Sequence, residues 1–204
     1  QPQHPDLARD TAGVYYHKKL WAHVGSAGYL ADGEWYPGVL DANGLWGMFA
    51  AYERFMRGEP LSNGRYERIG TDLAGTAQVG LAPAAGTLRV WGVRDPVAGK
   101  VLLWIDNAAH TWRAAVQGAK IPPASGTLTV GSLPAGSYRI EWWDTATGQV
   151  THATEQTAGA GGTLTIAAGD IESDMAVKII PFGDGLPGDP PAGWLPLVQK
   201  RKTG

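Results

Sequence analysis

The histidines and acidic residues show no spacing that by itself predicts a catalytic or metal site. His17 and His23 are six positions apart, which places them about 240° apart around a helix of 3.6 residues per turn. Asp170, Glu172 and Asp174 alternate as in a calcium loop, but the other ligands of such a loop are missing, so we expect a solvated acidic turn. The sequence has no Gly-x-Ser-x-Gly elbow and no phosphate-binding glycine loop. It therefore predicts no cofactor and no metal.

The nine tryptophans in 204 residues are the other candidates for chemistry. Tryptophan usually packs in a core, but its flat face can also stack on a sugar ring. Trp142 and Trp143 would point to opposite faces of a strand, so we expect one in a core and the other against a neighbouring domain or partner. Trp112, next to His110, leaves two alternatives: a ligand contact or a loop clamped between domains.

Composition excludes several classes of function. A net charge of −2 gives no electrostatic basis for binding nucleic acid or an anionic membrane. No apolar run approaches the ~20 residues of a membrane span, and the absence of cysteine excludes disulfides and thiolate metal sites. The chain opens with Gln1 and without an initiator Met, which leads us to expect a processed or partial product.

The first 60 residues have helical periodicity. Apolar spacing predicts one helix from about Asp10 to Val24, ended by Gly25. A short strand is predicted from Tyr29 to Tyr36. The apolar stripe of the first helix consists of Leu20, Trp21 and Val24.

A second helix is predicted over residues 45–56. Asp41 or Asn43 can cap its start, and Gly58 stands where a C-terminal glycine is expected. Its apolar stripe consists of Leu45, Met48, Phe49, Tyr52, Phe55 and Met56.

From about Arg65 the apolar pattern changes to a period of two, with turn residues between short segments. Seven or eight such strands predict an antiparallel β-sandwich of Ig-like type over residues 65–181. Residues 182–204 form a Gly/Pro-rich tail, in which 183–193 are expected to be extended and 194–198 to dock on a surface. The clearest predicted strands are 88–93, 101–106, 138–143, 149–155, 163–167 and 175–180.

Two groups of segments together resemble the C-terminal region of cellulase-like TIM-barrel glycoside hydrolases that carry an Ig-like C-terminal domain. The first group resembles helix 7, strand 8 and helix 8 of the barrel and comprises residues 17–28, 34–36 and 43–46. The second group resembles the sandwich and comprises residues 101–107, 110–112, 136–145 and 147–148. The implied fold is mainly β, an Ig-like sandwich preceded by a helix-strand-helix fragment (residues 1–60) that resembles the end of a (β/α)₈ barrel.

The resemblance also implies where a sugar site lies. In that family both catalytic carboxylates belong to barrel strands that map upstream of Gln1, so no catalytic residue is expected in this chain. The strand end at Glu34, Trp35 and Tyr36 supplies the expected substrate contacts, with Trp35 as the floor of the sugar site. Gly33 and Glu34 stand where the family has two further tryptophans.

The function expected from this resemblance is that of a non-catalytic, C-terminal portion of a secreted glycoside hydrolase acting on a polysaccharide. The alternative is a stand-alone extracellular structural or carbohydrate-binding protein that assembles with copies of itself or a partner. Because two helices and one strand are about a quarter of a barrel, we expect residues 6–58 to bury their apolar faces outside this chain. The expected partners are an N-terminal barrel fragment or another copy.

Overall fold

The computed structural model describes residues 5–26, 37–71 and 79–182. The predicted strand Tyr29–Tyr36 and the predicted extended tail lie outside these residues. The described chain is mainly β, with nine strands paired antiparallel and four short α-helices.

The helices precede the strands, with one exception that lies between two strands. Short 3₁₀ turns cover Pro5–Arg9, His23–Ser26 and Leu61–Asn63. The α-helices are α1 (Val14–Ala22), α2 (Pro37–Ala42), α3 (Gly47–Met56) and α4 (Trp112–Val116). The strands are β1 (Glu67–Gly70), β2 (Val79–Ala85), β3 (Leu88–Asp95), β4 (Lys100–Asn107), β5 (Ala124–Val130), β6 (Gly136–Asp144), β7 (Gln149–Ala158), β8 (Leu164–Ile171) and β9 (Asp174–Phe182).

The strands form two sheets. The larger has six strands in the order β1-β3-β4-β9-β6-β7, and the smaller has three in the order β2-β5-β8. Alternate residues of β4 belong to two different cores, one on each face of the larger sheet, because successive side chains point to opposite faces of a strand. Val101, Leu103 and Ile105 join the core between the sheets, whereas Leu102 and Trp104 join a second core on the outer face of the larger sheet.

The second core is formed with the helices. Trp21 of α1 and Phe55 of α3 are fully buried in it, and their rings lie 5.3 Å apart. The expectation that residues 6–58 bury their apolar faces outside this chain is therefore wrong for Trp21 and Phe55. The physical reason is that the outer face of the larger sheet carries an apolar patch that includes Leu102, Trp104 and Ala176, on which the buried members of both stripes pack. Whether a partner also binds is a separate prediction.

The two adjacent tryptophans behave as the strand geometry predicts. Trp142 lies in the core between the sheets. Trp143 packs on the helical side, with its ring 5.6 Å from that of Phe55. They therefore form no common flat platform.

The ends of the helices differ from the predicted ones. Asp10 lies before α1 and accepts hydrogen bonds from the backbone N–H groups of Val14 and Tyr15 at 3.0 and 2.8 Å, so α1 begins four residues later than predicted. Asp41 belongs to α2, and α3 has no side-chain cap at Trp46.

One feature of the sheets is shared with Ig-like sandwiches. The hydroxyl of Tyr138 donates to the carbonyl oxygen of Pro134 at 2.7 Å, as in the tyrosine corner of such folds, where a tyrosine bonds to the backbone a few residues upstream. The Ig-like type itself stays a prediction, whereas the mainly β, antiparallel architecture is confirmed.

Candidate functional site

The predicted sugar contacts Glu34, Trp35 and Tyr36 lie outside the described residues. The 3₁₀ turn that precedes their segment is held on the larger sheet. Arg68 Nε donates to the carbonyl oxygen of Gly25 at 2.9 Å, and a Cβ at Gly25 would lie 3.2 Å from the Cβ of Trp91. These contacts hold the turn itself at Gly25 against β1 and β3.

Two buried carboxylates lie side by side on the outer face of the larger sheet. Asp106 at the end of β4 is directly opposite Asp174 at the start of β9. Both side chains have 0% exposure. Because like charges opposite each other destabilise a sheet, this arrangement needs compensating cations.

Those cations come from α1 and β3. Lys18 Nζ bonds Asp106 and lies 3.9 Å from Asp174 Oδ2, so it bridges the two carboxylates. Arg89, opposite Asp106 on β3, donates from Nε at 2.9 Å and also from Nη2. His17 Nε2 lies 3.0 Å from Asp174 Oδ1. We call these five residues the carboxylate cluster.

A serine and a histidine adjoin the cluster without forming a nucleophile and base. Ser173 Oγ donates to Asp174 Oδ2 at 3.1 Å and lies 3.1 Å from His110 Nδ1. Its single hydroxyl proton is therefore directed to the carboxylate, not to the imidazole. Burial, followed by the charge of Lys18, lowers the pKa of His110 below its ordinary value.

The cluster is not suited to acid–base chemistry on a sugar. Asp174 Oδ1 also accepts from the hydroxyl of Thr145, so every carboxylate oxygen of the pair has a partner. Burial alone raises the pKa of Asp174, but hydrogen bonding and attraction from His17, then Thr145 and Lys18, lower it overall. A general acid in glycoside hydrolysis needs the opposite shift. The expected solvated acidic turn is therefore wrong at Asp174, which is buried as an anchor.

A second ion pair fixes the other end of the helical layer. Glu59, after α3, accepts from Lys178 Nζ of β9 at 2.8 Å, with both side chains 6% exposed. Tyr66 donates to Glu59 Oε2 at 3.1 Å. Burial opposes ionisation of Glu59, but attraction and hydrogen bonding from Lys178 outweigh it and lower the pKa. Burial raises the pKa of Tyr66.

Beside the carboxylate cluster lies a groove of about 310 Å³ between α1, β3, β4 and α4. We call it the indole groove. Trp91 stacks on Trp104 with ring centroids 5.3 Å apart. Trp112 also lines the groove. It belongs to α4, which connects β4 to β5 and contacts α1 and the 3₁₀ turn Pro5–Arg9. Its lining includes Tyr15, Lys18, Lys19, Arg89, Trp91, Trp104 and Trp112.

A larger cavity of about 440 Å³ opens on the other side of Asp174. Its walls include Leu45 and Met48, and its polar side includes His17 and Thr145. His17 Nε2 and the hydroxyl of Thr145 already bond Asp174 Oδ1 there.

The described residues contain no group of three or more His, Asp or Glu side chains placed to hold a metal ion. His17 bonds Asp174, and His23 Nδ1 lies 2.8 Å from the carbonyl oxygen of Lys19. Among the described helices, none is long and apolar enough to cross a membrane.

Sequence reasoning missed both the carboxylate cluster and the indole groove. The period of two already placed Trp104 and Asp106 on one face and Arg89 with Trp91 on one face of the next strand. If β3 and β4 are paired as neighbouring strands, these two faces place Arg89 beside Asp106 and Trp91 beside Trp104, and this was the signal available in the sequence. The contribution of Lys18 from α1 was not predictable without knowing that α1 covers this sheet.

No family model matches the chain, and no curated protein matches it in sequence. Among solved structures, the chain is similar to the GH39 enzyme from Xanthomonas axonopodis pv. citri, with a TM-score of 0.35 and 12% identity. The match covers 47% of this chain and 26% of that enzyme. The chain thus spans about a quarter of the matched enzyme's length, and a similarity of this size defines neither a family nor an activity.

Proposed function

We propose that the chain is the non-catalytic, C-terminal portion of a secreted glycoside hydrolase acting on a polysaccharide. The inference that the chain is non-catalytic rests on the bonding of the carboxylates of Asp106 and Asp174. They are adjacent carboxylates, but cations and hydroxyls occupy all their oxygens. A two-carboxylate mechanism needs one group free to give a proton and another free to attack or activate water.

The positions of the resemblance motifs support the link to such hydrolases. Lys18 belongs to the barrel-like segment, whereas Asp106 and Trp143 belong to or adjoin the sandwich-like segments. In the structure Lys18 bonds Asp106, and Trp143 packs on Phe55 of α3. Residues of both resemblance groups therefore take part in the contacts that join the helices to the sheet.

In this proposal the chain completes a barrel supplied by an N-terminal fragment. Trp35 forms the floor of the sugar site, and Glu34 and Tyr36 contact the sugar. Secretion follows from the same resemblance.

A second candidate is a stand-alone extracellular structural or carbohydrate-binding protein. The burial of Trp21 and Phe55 within this chain favours it, because the helical layer has an apolar partner without any further polypeptide. Peptide mapping of the protein from its natural source separates the two candidates. Peptides that continue upstream of Gln1 into carboxylate-bearing strands support the hydrolase portion. A mature N-terminus at Gln1, preceded in the gene directly by a signal peptide, supports the stand-alone protein.

The isolated chain is expected to hydrolyse none of cellulose, xylan, laminarin and mannan, measured as release of reducing sugar. The reason is that Asp106 and Asp174 are held in ion pairs and that the resemblance assigns the catalytic pair to strands upstream of Gln1. Turnover by the wild-type chain that disappears in Glu34→Gln contradicts the proposal and makes Glu34 catalytic. The matched control is Glu53→Gln, which alters an exposed glutamate on α3.

A further inference from the structure

Two of the three asparagines of the chain are followed by glycine, at Asn43-Gly44 and Asn63-Gly64. In such a pair the backbone nitrogen of the glycine can attack the side-chain amide carbon of the asparagine, since glycine has no Cβ to hinder the approach. The bond between this nitrogen and Cγ forms, the Cγ–Nδ2 bond breaks, and ammonia leaves with the proton of the glycine N–H. Water then opens the cyclic succinimide at either carbonyl and gives aspartate or isoaspartate.

The structure holds Asn63 in a position that favours this reaction. Asn63 is exposed at the end of the 3₁₀ turn Leu61–Asn63, so water reaches its amide. Its Oδ1 accepts a hydrogen bond from the backbone N–H of Arg65 at 2.8 Å. Attack on Cγ places negative charge on Oδ1, and a donor already directed at that oxygen stabilises the charge as it develops.

The same dipeptide at Asn43 is held in a way that opposes the reaction. Asn43 is half-buried, and its Nδ2 donates to the carbonyl oxygen of Val39 at 2.9 Å. The backbone N–H of Gly44, which is the nucleophile, donates to the carbonyl oxygen of Asp41 at 3.2 Å. Among the described residues none donates to Oδ1 of Asn43. Attack there requires these two hydrogen bonds to break first.

We propose that Asn63 is a site of self-modification, at which the folded chain is the substrate and water is the co-reactant. Asn63 converts to aspartate and isoaspartate, whereas Asn43 is retained. The inference goes beyond the proposed function, because it depends neither on a sugar site nor on an upstream barrel fragment.

The product changes the surroundings of a buried carboxylate. Asn63 Nδ2 donates to Asp95 Oδ2 at 3.3 Å, and the side chain of Asp95 is 1% exposed and paired with Arg65. Conversion removes this donor and places a second negative charge beside Asp95, which opposes its ionisation. Asp95 also accepts from the backbone N–H groups of Val97 and Ala98 in the turn between β3 and β4. The modification therefore weakens the contacts that hold this turn.

The test follows both asparagines in one molecule. The whole chain is incubated at mildly alkaline pH, which favours attack by the glycine nitrogen, and samples are analysed by peptide mapping with mass spectrometry. In the folded chain Asn63 should convert at least about tenfold faster than Asn43, because two hydrogen bonds must break at Asn43. In chain unfolded with urea the two rates should become similar, since both asparagines then precede glycine without fixed partners.

A variant measures the effect of the product. Asn63→Asp is expected to lower the melting temperature by about 2–4 °C, the shift that corresponds to one ordinary hydrogen bond in a chain of this size. Gln149→Glu is the matched control, because it adds the same charge at an exposed position at the start of β7. It should leave the melting temperature unchanged.

Conversion of Asn43 as fast as Asn63 in the folded chain overturns the proposal, and so does an Asn63 that converts only after unfolding. Equal melting temperatures of Asn63→Asp and wild type contradict the expected effect on the turn at Asp95. These outcomes are independent of the hydrolysis assays, which decide only whether the chain is catalytic.

Discussion

Lys18 is the residue on which the outer face of the larger sheet depends most. Two carboxylates, Asp106 and Asp174, face each other on neighbouring strands and are fully buried. One ammonium group lies between them. Removing one partner of a buried ion pair leaves an uncompensated charge, which costs more than the pair itself contributes.

Lys18→Met is therefore expected to lower the free energy of unfolding by about 3–5 kcal/mol at pH 7. Urea unfolding followed by circular dichroism measures the loss. Lys120→Met is the matched control, since Lys120 is exposed, and such a surface change stays within about 0.5 kcal/mol. Equal losses in the two variants contradict the bridging role of Lys18.

The same variant gives a pH dependence. Burial opposes ionisation of Asp174, but His17, Thr145 and Lys18 favour it and outweigh burial. The pKa of Asp174 is therefore lowered in the folded chain. The stability that this carboxylate contributes is therefore present above its ordinary pKa of about 3.9 and is lost as the pH falls through the lower folded value. The difference between wild type and Lys18→Met should shrink in acid. A difference that stays constant from neutral to strongly acid pH indicates a packing effect instead.

These residue contacts show where sequence reasoning reached its limit. The alternation in β4 predicted that Trp104 and Asp106 share a face, and the structure agrees. The partner Lys18 is 88 positions away in sequence, so no local periodicity could pair it with Asp106. The solvated position expected for Asp174 was wrong for the same reason, because its partner His17 comes from a distant helix, whereas Asp170 and Glu172 are exposed as expected.

The contact between α3 and the β6–β7 turn depends on one glycine. Gly148 has a φ of +64°, and a Cβ there would lie 2.5 Å from the carbonyl oxygen of Ala51 in α3. Arg54 of α3 also donates to the carbonyl oxygen of Thr147 at 2.7 Å. The helix backbone therefore lies against the turn with no room for a side chain.

Gly148→Ala is expected to destabilise the chain by clash and by backbone strain together, whereas Gly118→Ala suffers strain alone. Gly118 has a nearly identical φ of +65° and nothing within 4 Å of an added Cβ. Strain of this kind costs about 1 kcal/mol or somewhat more, so the excess loss in Gly148→Ala reports the clash with α3. Thermal unfolding of both variants measures it. Equal shifts in the melting temperature would mean that the turn and α3 do not touch in solution.

Elements with strong periodicity were predictable and weak ones were not. The predicted strands at 88–93, 101–106 and 138–143 correspond to β3, β4 and β6. No strand was predicted at β2, which contains Gly80 and Pro83, residues that occur rarely in strands. The direction in which α1 and α3 bury their stripes was also not predictable, since a helical stripe is compatible with any apolar surface.

At the scale of the whole molecule, one sheet separates two cores. Residues of β4 alternate between the core that joins the two sheets and the core under the helices. Phe55 belongs to the second, where its ring contacts Trp21 and Trp143 and lies under the ammonium group of Lys178. Both cores use the strands of the larger sheet. Loss of the helical layer therefore exposes one face of these strands, whose other face forms the core between the sheets.

Phe55→Ala is therefore expected to cost about 3–5 kcal/mol and to lower the hydrogen-exchange protection of α3 and β4 together. Phe182→Ala, at an exposed position, is the control and should leave both segments protected. If α3 exchanges freely while β4 stays protected in the wild-type monomer, the helical layer is a separate, weakly held unit. Its apolar face is then available to an N-terminal barrel fragment or a second copy. Coincident loss in α3 and β4 instead means that the helices already have their structural partner in this chain, which favours the stand-alone protein over a fragment that needs completion.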